Sequence, residues 1–428
     1  MNHTVEEVRL KNGSRGLLID VPGATVMSFQ FQFRAGNRYV RDKDVYEAAH
    51  IMEHMAFGAN ARFKSEHEYE AEFTKNGAYH NAYTSDLGMV YIADCADFEW
   101  ERILGLQEVA ICQPRFNEAT LEAEKGNVKS ELTGYLNNHN RVLWPKIQQL
   151  LGEDVYTYWQ RLQTIPTVTI ADIKDHYKRT HTAENMRFVI AGQLHGRKSE
   201  IVRQLEGWSL NSGERFSVPR DALKSGNPTL IRRKEASNLT FGLSLVVPRE
   251  LSYEESDAMG ALDHILTGTM HSRIYGSARA KGLAYGVFSD TNAGLHNSSW
   301  DFGGEVNHDT ASELFDIIVR EMRSVLDGNI TEKELETAKS YALGRHQMGA
   351  QTVGQISNFY TNRYFTDGVV HDYEKIPDLI RAVSRDLMVA TANSFVAHGT
   401  WAFAGVSSEE KDEIVGLGAK LDTLFQPS

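Results

Sequence analysis

Two cysteines in 428 residues, Cys95 and Cys112, are too few for a disulfide framework, and they read as small buried hydrophobes. No apolar run approaches the ~18 residues that a membrane-spanning helix needs. Basic residues are in the minority, with 45 Lys and Arg against 57 Asp and Glu and a formal net charge of −12. No basic block offsets that charge, which excludes nucleic acid as the main partner. The opening residues, MNHTVEEVRLKNGSRG, lack a basic segment followed by an apolar stretch. No secretory signal is therefore expected, and a cytoplasmic location is favoured. Also missing are a P-loop, a G-x-G-x-x-G turn and a Cys-x-x-Cys pair, which removes the usual signs of nucleotide and redox enzymes. What remains, 41% apolar and 24% charged, is ordinary globular composition at a length comfortable for two domains.

Those two domains read as copies of one unit. In ATVMSFQFQFRAGNR, Met27, Phe29, Phe31 and Phe33 alternate with polar residues, as on one face of a strand. In NLTFGLSLVVPRE, Phe241, Leu243, Leu245 and Val247 do the same, with Phe241 lying 214 residues after Met27. The helical stretch from Phe116 and the one from Ile330 are again 214 apart, as are Ile173 and Leu387 in a later helix. The strand-ending Gly192 and Gly405 are 213 apart. The polar stretch NSGERFSVPRDALKSGNP, residues 211–228, reads as the linker, giving domains 1–215 and 225–428. Each unit opens on strands, passes through helices and returns to a strand. The expected class is α+β, with two homologous α/β sandwich domains, each having helices on one face of a mixed, mainly antiparallel sheet.

AAHIMEHMAFG carries the chemistry. Alanines and methionines favour a helix, with Gly58 as a stop. On that helix His50 and His54 stand one turn apart on one face, where both imidazoles can reach one ion. Glu53 borders the same face and can take a proton from a metal-bound water without being a ligand. The order H-x-x-E-H is the reverse of the commoner H-E-x-x-H. A catalytic site of this kind needs a carboxylate as third ligand, and LEAEKGNVKSEL offers Glu124 and Glu131, two turns apart on one helical face. AYHNAYTSDLGMVYIADC reads as a hairpin turning at Ser85–Gly88. A free edge over Tyr79–Thr84, containing Asn81, Ala82 and Tyr83, would accept an extended peptide as an added strand.

Together, HIMEH, the glutamate downstream at 131, NGAYHNAYTSD and SRIYGSARAKGLAYGVFSD resemble the pitrilysin/insulinase-type zinc metallopeptidases. The length resembles their short two-domain branch, which includes mitochondrial processing peptidase subunits and bacterial homologues. The resemblance implies that His50, His54 and Glu131 are ligands of one zinc ion per chain, Glu53 the general base and Glu124 a supporting carboxylate. It also implies that Arg279 and Tyr285 bind substrate and stabilise the oxyanion, although the Arg–Tyr spacing here is one residue shorter than is usual in the family. Phe57 is followed by GANAR rather than the family's Gly-Thr. The implied activity is endopeptidase cleavage of extended or unfolded peptides, by a homodimer or a heterodimer with a related subunit. The alternative is a non-catalytic or partner-dependent peptide-binding subunit of a heterodimeric peptidase. The repeat places His264, Thr267, Gly268 and Arg345 where the first unit has His50, Glu53, His54 and Glu131, so the second unit is expected to lack the metal site.

Overall fold

The structure is a computed structural model that describes residues 1–426. Its two compact units comprise 1–134, 158–219 and 348–371 in the first, and 135–157, 220–347 and the described residues from 372 onward in the second. The first unit is built on six strands: β1 (Thr4–Arg9), β2 (Arg15–Asp20), β3 (Val26–Phe33), β4 (Tyr79–Thr84), β5 (Met89–Ala96) and β6 (Met186–Gly192). They lie in the order β1-β2-β6-β3-β5-β4, and β2–β6 is the one parallel pairing. The second unit has β7 (Thr229–Arg232), β8 (Leu239–Val247), β9 (Ala284–Ala293), β10 (Ser298–Val306) and β11 (Thr400–Ser407). Their order is β7-β11-β8-β10-β9, with β7–β11 parallel. Without β1 the two orders are the same topology, so the repeat read from the sequence is a repeat of fold. The class is α+β, as expected. No helix among the described residues is long and apolar enough to cross a membrane.

In the first unit Met27, Phe29, Phe31 and Phe33 are all buried. Phe31 packs 4.8 Å from Trp208, and Phe33 stacks 4.3 Å from His181. In the second unit Phe241, Leu243, Leu245 and Val247 enter a core with Trp300, Phe302, Phe315 and Phe395. Alternation thus places the main helical layer of each unit correctly. The opposite face of each sheet is covered as well, which the alternation does not foretell. Helix His139–Leu150 lays Val142, Leu143 and Ile147 against Val246, Ala402, Ala404 and Val406 in the second unit. Gly242 keeps that face flat, since a Cβ there would come within 2.6 Å of Ile147 Cδ1. In the first unit, helix Val353–Tyr364 takes the equivalent place. Buried Gln30 on β3 donates to Ser357 Oγ at 3.0 Å and Asn358 Oδ1 at 2.8 Å. Arg215 and Arg34 hold the carbonyls past that helix's end, at Phe365 (2.9 Å) and Thr366 (2.8 Å).

The contiguous division 1–215 and 225–428 therefore needs correcting by two segments. The chain does pass from one unit to the other between Pro219 and Arg220, inside the expected linker. Residues 135–157, however, belong to the second unit and 348–371 to the first. The physical reason is that each helix finds its complementary sheet face in the unit built mainly from the other half of the chain.

One buried acid in the second unit carries a prediction. Asp263 accepts from Trp300 Nε1 at 3.0 Å and Thr291 Oγ1 at 2.8 Å. Burial pushes its carboxyl up, these donors and Ser289 offset part of that, and it comes to about 7. The folded chain keeps a proton that an unfolded Asp releases near pH ~4. This contribution is therefore full below pH ~4 and falls as pH rises toward 7, by up to ~4 kcal/mol. Asp263→Asn should flatten that part of the profile. Unfolding midpoints of both proteins between pH 4 and 8 check it, and parallel curves would contradict it.

Candidate metal centre

The site lies in the first unit, between helix Ala48–Ala56 and helix Glu118–Tyr135. The first helix is apolar on nearly every side, and Ala48, Ala49, Ile51, Met52, Met55 and Ala56 are buried. That packing fixes the axis on which His50 and His54 stand. On the second helix Leu121, Val128 and Leu132 are buried together with Glu124. The intervals of three and four residues put Glu124 and Glu131 on that same inward face.

Both histidines direct Nε2 at one carboxylate oxygen. His50 Nε2 and His54 Nε2 each lie 3.5 Å from Glu131 Oε2. The two rings are 4.9 Å apart and nearly perpendicular. A tetrahedral zinc with bonds of ~2.0–2.1 Å sets its ligand atoms roughly 3.3 Å apart, so the spacing fits. Among the described residues these three form a group whose ligand atoms all lie within 4.8 Å of one another. His50 is 8% exposed, whereas the side chains of His54 and Glu131 are 26% and 31% exposed, which leaves one side open for water or substrate.

The other ring nitrogens are held by acids. His54 Nδ1 meets Glu124 Oε2 at 3.1 Å, and His50 Nδ1 meets Glu47 Oε1 at 2.7 Å. An ionised carboxylate only accepts, so these contacts put a ring hydrogen on Nδ1 and turn Nε2 toward Glu131. Asn127 Nδ2 donates to the same Glu124 oxygen at 3.1 Å. The hydrogen bond from His54, helped by Asn127, outweighs burial and lowers the Glu124 carboxyl. Burial alone would depress the His54 imidazolium. Hydrogen bonds to Glu124 and Glu131, and the charge of Glu53, instead raise it to about 10. The pocket therefore attracts positive charge strongly, as a dication site must.

Glu53 is buried beside this cluster and accepts from Thr84 Oγ1 at 3.0 Å. Burial raises its carboxyl, while His50, His54 and Thr84 act against that. A raised carboxylate next to an open position suits a proton acceptor. Thr84 is the last residue of β4, which ends the sheet and pairs with β5 alone in it. Along β4, Tyr79 and Tyr83 are each 52% exposed, Ala82 is buried, and Asn81 Oδ1 holds the Ala82 N–H at 2.9 Å.

Arg279 and Tyr285 lie in the second unit, on helix Arg273–Ala280 and at the start of β9. The short spacing still brings them together, with the guanidinium 4.9 Å from the Tyr285 ring centre. Both line an open depression of about 740 Å³, and Tyr285 is 84% exposed. At the second unit's counterpart of the metal site, His264 stacks 4.1 Å from Tyr341 and Thr267 bonds Ser289 at 2.9 Å. Gly268 and Arg345 stand in the remaining places, and among the described residues no group of metal-ligand atoms converges there.

Thr84, Asn127, Glu47 and Arg161 were not singled out in the sequence. Glu47 lies one helical turn before His50, a spacing that pairs side chains and could have drawn notice. Arg161, which binds Glu47, has no local signal.

Comparison with known proteins bears on the family and the fold. The family described as Insulinase (Peptidase family M16) matches residues 17–152, and the Peptidase M16 inactive domain matches residues 167–341. The chain belongs to peptidase family M16. Among its relatives, the mitochondrial-processing peptidase subunit beta of Rattus norvegicus is 27% identical over 176 residues, 40% of this chain and 35% of that one. The subunit beta of Bos taurus is 28% identical over 222 residues, 49% of this chain and 44% of that one. The subunit alpha of Pongo abelii is 24% identical over 350 residues, 72% of this chain and 64% of that one. The chain thus spans less than two thirds of the curated relatives named here. Among solved structures, a protease from Helicobacter pylori superposes with a TM-score of 0.80 at 17% identity, covering 94% of this chain and 100% of that one. A peptidase M16 inactive domain from Pseudomonas fluorescens gives 0.81 at 16%, covering 95% and 98%. At these identities the likeness is one of fold.

Proposed function

We propose that the chain is a zinc-dependent endopeptidase that hydrolyses extended or unfolded peptides. The observation that carries this reading is the convergence of His50 Nε2, His54 Nε2 and Glu131 Oε2 beside a buried Glu53. His50, His54 and Glu131 would hold one zinc ion per chain. Zinc held there would lower the pKa of its water toward ~7 and polarise the scissile carbonyl. Thr84 holds Glu53 Oε2 and so leaves Oε1 to take the proton from the attacking water. Glu53 then delivers that proton to the leaving nitrogen as the C–N bond breaks. Glu124 orients His54 through Nδ1. Backbone pairing to β4 at Asn81, Ala82 and Tyr83 would align an extended peptide whose path ends at Thr84, the residue that touches Glu53. Arg279 and Tyr285 take the roles the family resemblance implies, hydrogen bonds to the substrate and to the oxygen that gains charge.

A second reading is supported by the relatives' names, since these are called subunits alpha and beta. The chain would then be a peptide-binding subunit, inactive or active only with a related chain, and a homodimer or heterodimer is part of either reading. The test is to purify the chain, measure metal and assay an unstructured peptide. About one zinc per chain is expected, with cleavage abolished by a chelator and restored by added zinc. Stoichiometric zinc without cleavage would favour the subunit reading, and absence of zinc binding would overturn the endopeptidase reading.

A further inference from the structure

Glu47 precedes the motif helix and its side chain is fully buried. A carboxylate in that position needs compensation. Arg161, on helix Tyr158–Thr164, provides it with two hydrogen bonds, Nε to Oε2 at 2.8 Å and Nη2 to Oε1 at 2.6 Å. The same Oε1 accepts from His50 Nδ1 at 2.7 Å. The backbone is tied down too. The Glu47 N–H donates to Thr164 Oγ1 at 3.2 Å, and that hydroxyl donates to the Arg161 carbonyl at 2.9 Å. With both oxygens engaged by Arg161 and Oε1 also facing His50 Nδ1, Glu47 stands as the acceptor for that ring nitrogen.

We propose that Glu47 and Arg161 are a positioning pair that sets the affinity and geometry of the metal site through His50. Glu47 does for His50 what Glu124 does for His54: it fixes the hydrogen on Nδ1 and points the Nε2 lone pair at Glu131. Arg161 acts one step further out, holding both oxygens of Glu47 in place. Outer partners of this kind typically change metal affinity 10–100-fold. A pair that only fastened two helices would change thermal stability and leave the metal untouched.

This inference rests on the zinc reading of the site, and its test separates the two. The whole chain is prepared as wild type, Glu47→Gln, the double variant Glu47→Gln/Arg161→Met, and His50→Ala. Zinc affinity is measured by chelator competition, and the visible spectrum is recorded after cobalt(II) replaces zinc. Glu47→Gln is expected to weaken zinc binding about 10–100-fold and to shift the cobalt bands. If it fails to fold because Arg161 is left unpaired, the double variant removes both charges at similar volume and should show the same loss of affinity. Affinity within about twofold of wild type and an unchanged cobalt spectrum, with His50→Ala devoid of zinc, would overturn this inference and leave the zinc reading standing. A wild-type chain that binds no zinc would overturn both.

Discussion

Glu53→Gln should keep its zinc and lose about 10²–10⁴-fold in kcat, the usual range for a positioned general base. The amide is nearly isosteric with the carboxylate and can still accept from Thr84 Oγ1, which lies 3.0 Å from Oε2 in the parent chain. It cannot accept the proton of the attacking water. Because Glu53 is buried and its carboxyl is pushed up by that burial, replacing it removes a desolvated charge, so the fold should not weaken. The measurement is kcat and KM on an unstructured peptide, with metal content determined on the same samples. An unchanged KM alongside the fall in kcat places the loss in the chemical step. Cleavage at the parent rate would remove Glu53 from the mechanism.

His54→Ala should lose the metal itself. The substitution leaves two of the three converging atoms, and it also ends the contact through which Glu124 braces the site at 3.1 Å. Loss of outer partners alone costs ~10–100-fold in affinity, so loss of a ligand is expected to cost on the order of 10²-fold or more. After desalting, zinc should be close to absent and peptide cleavage undetectable. The chain should remain folded, because the His54 side chain is 26% exposed and Glu124 retains Asn127. Metal analysis with an unfolding midpoint as control checks this. Parent-level zinc in the variant would mean that the ion is held elsewhere.

On the proposed reading, the two variants would separate a part of the site that holds a cation from a part that moves a proton. The sequence distinguishes these roles unevenly. Four-residue spacing on a helix predicts that His50 and His54 share a face, and they do. The same reasoning applied to Glu124 and Glu131 leaves them equivalent, seven residues apart on one face. The packing of the two helices separates them. Glu131 Oε2 lies 3.5 Å from both Nε2 atoms, whereas Glu124 reaches Nδ1 of His54 from behind. Glu47 was one turn from His50 in plain view, but its meaning depends on Arg161, 114 residues away along the chain.

The same division runs through the fold. Alternation in β3 and β8 and the 214-residue offset determined two copies of one sheet-and-helix unit, because strand and helix periods are local properties of the chain. They also determined the motif helix, the β4–β5 hairpin and the degeneration of the second copy's site. An apolar helix stripe says that a partner face exists, not which sheet supplies it. Only the tertiary structure decided that His139–Leu150 and Val353–Tyr364 pack in the unit built mainly from the other half, that Glu131 Oε2 meets both histidines, and that a buried Glu47–Arg161 pair stands behind His50. Those outcomes depend on distances between segments remote in sequence, and no local period encodes them.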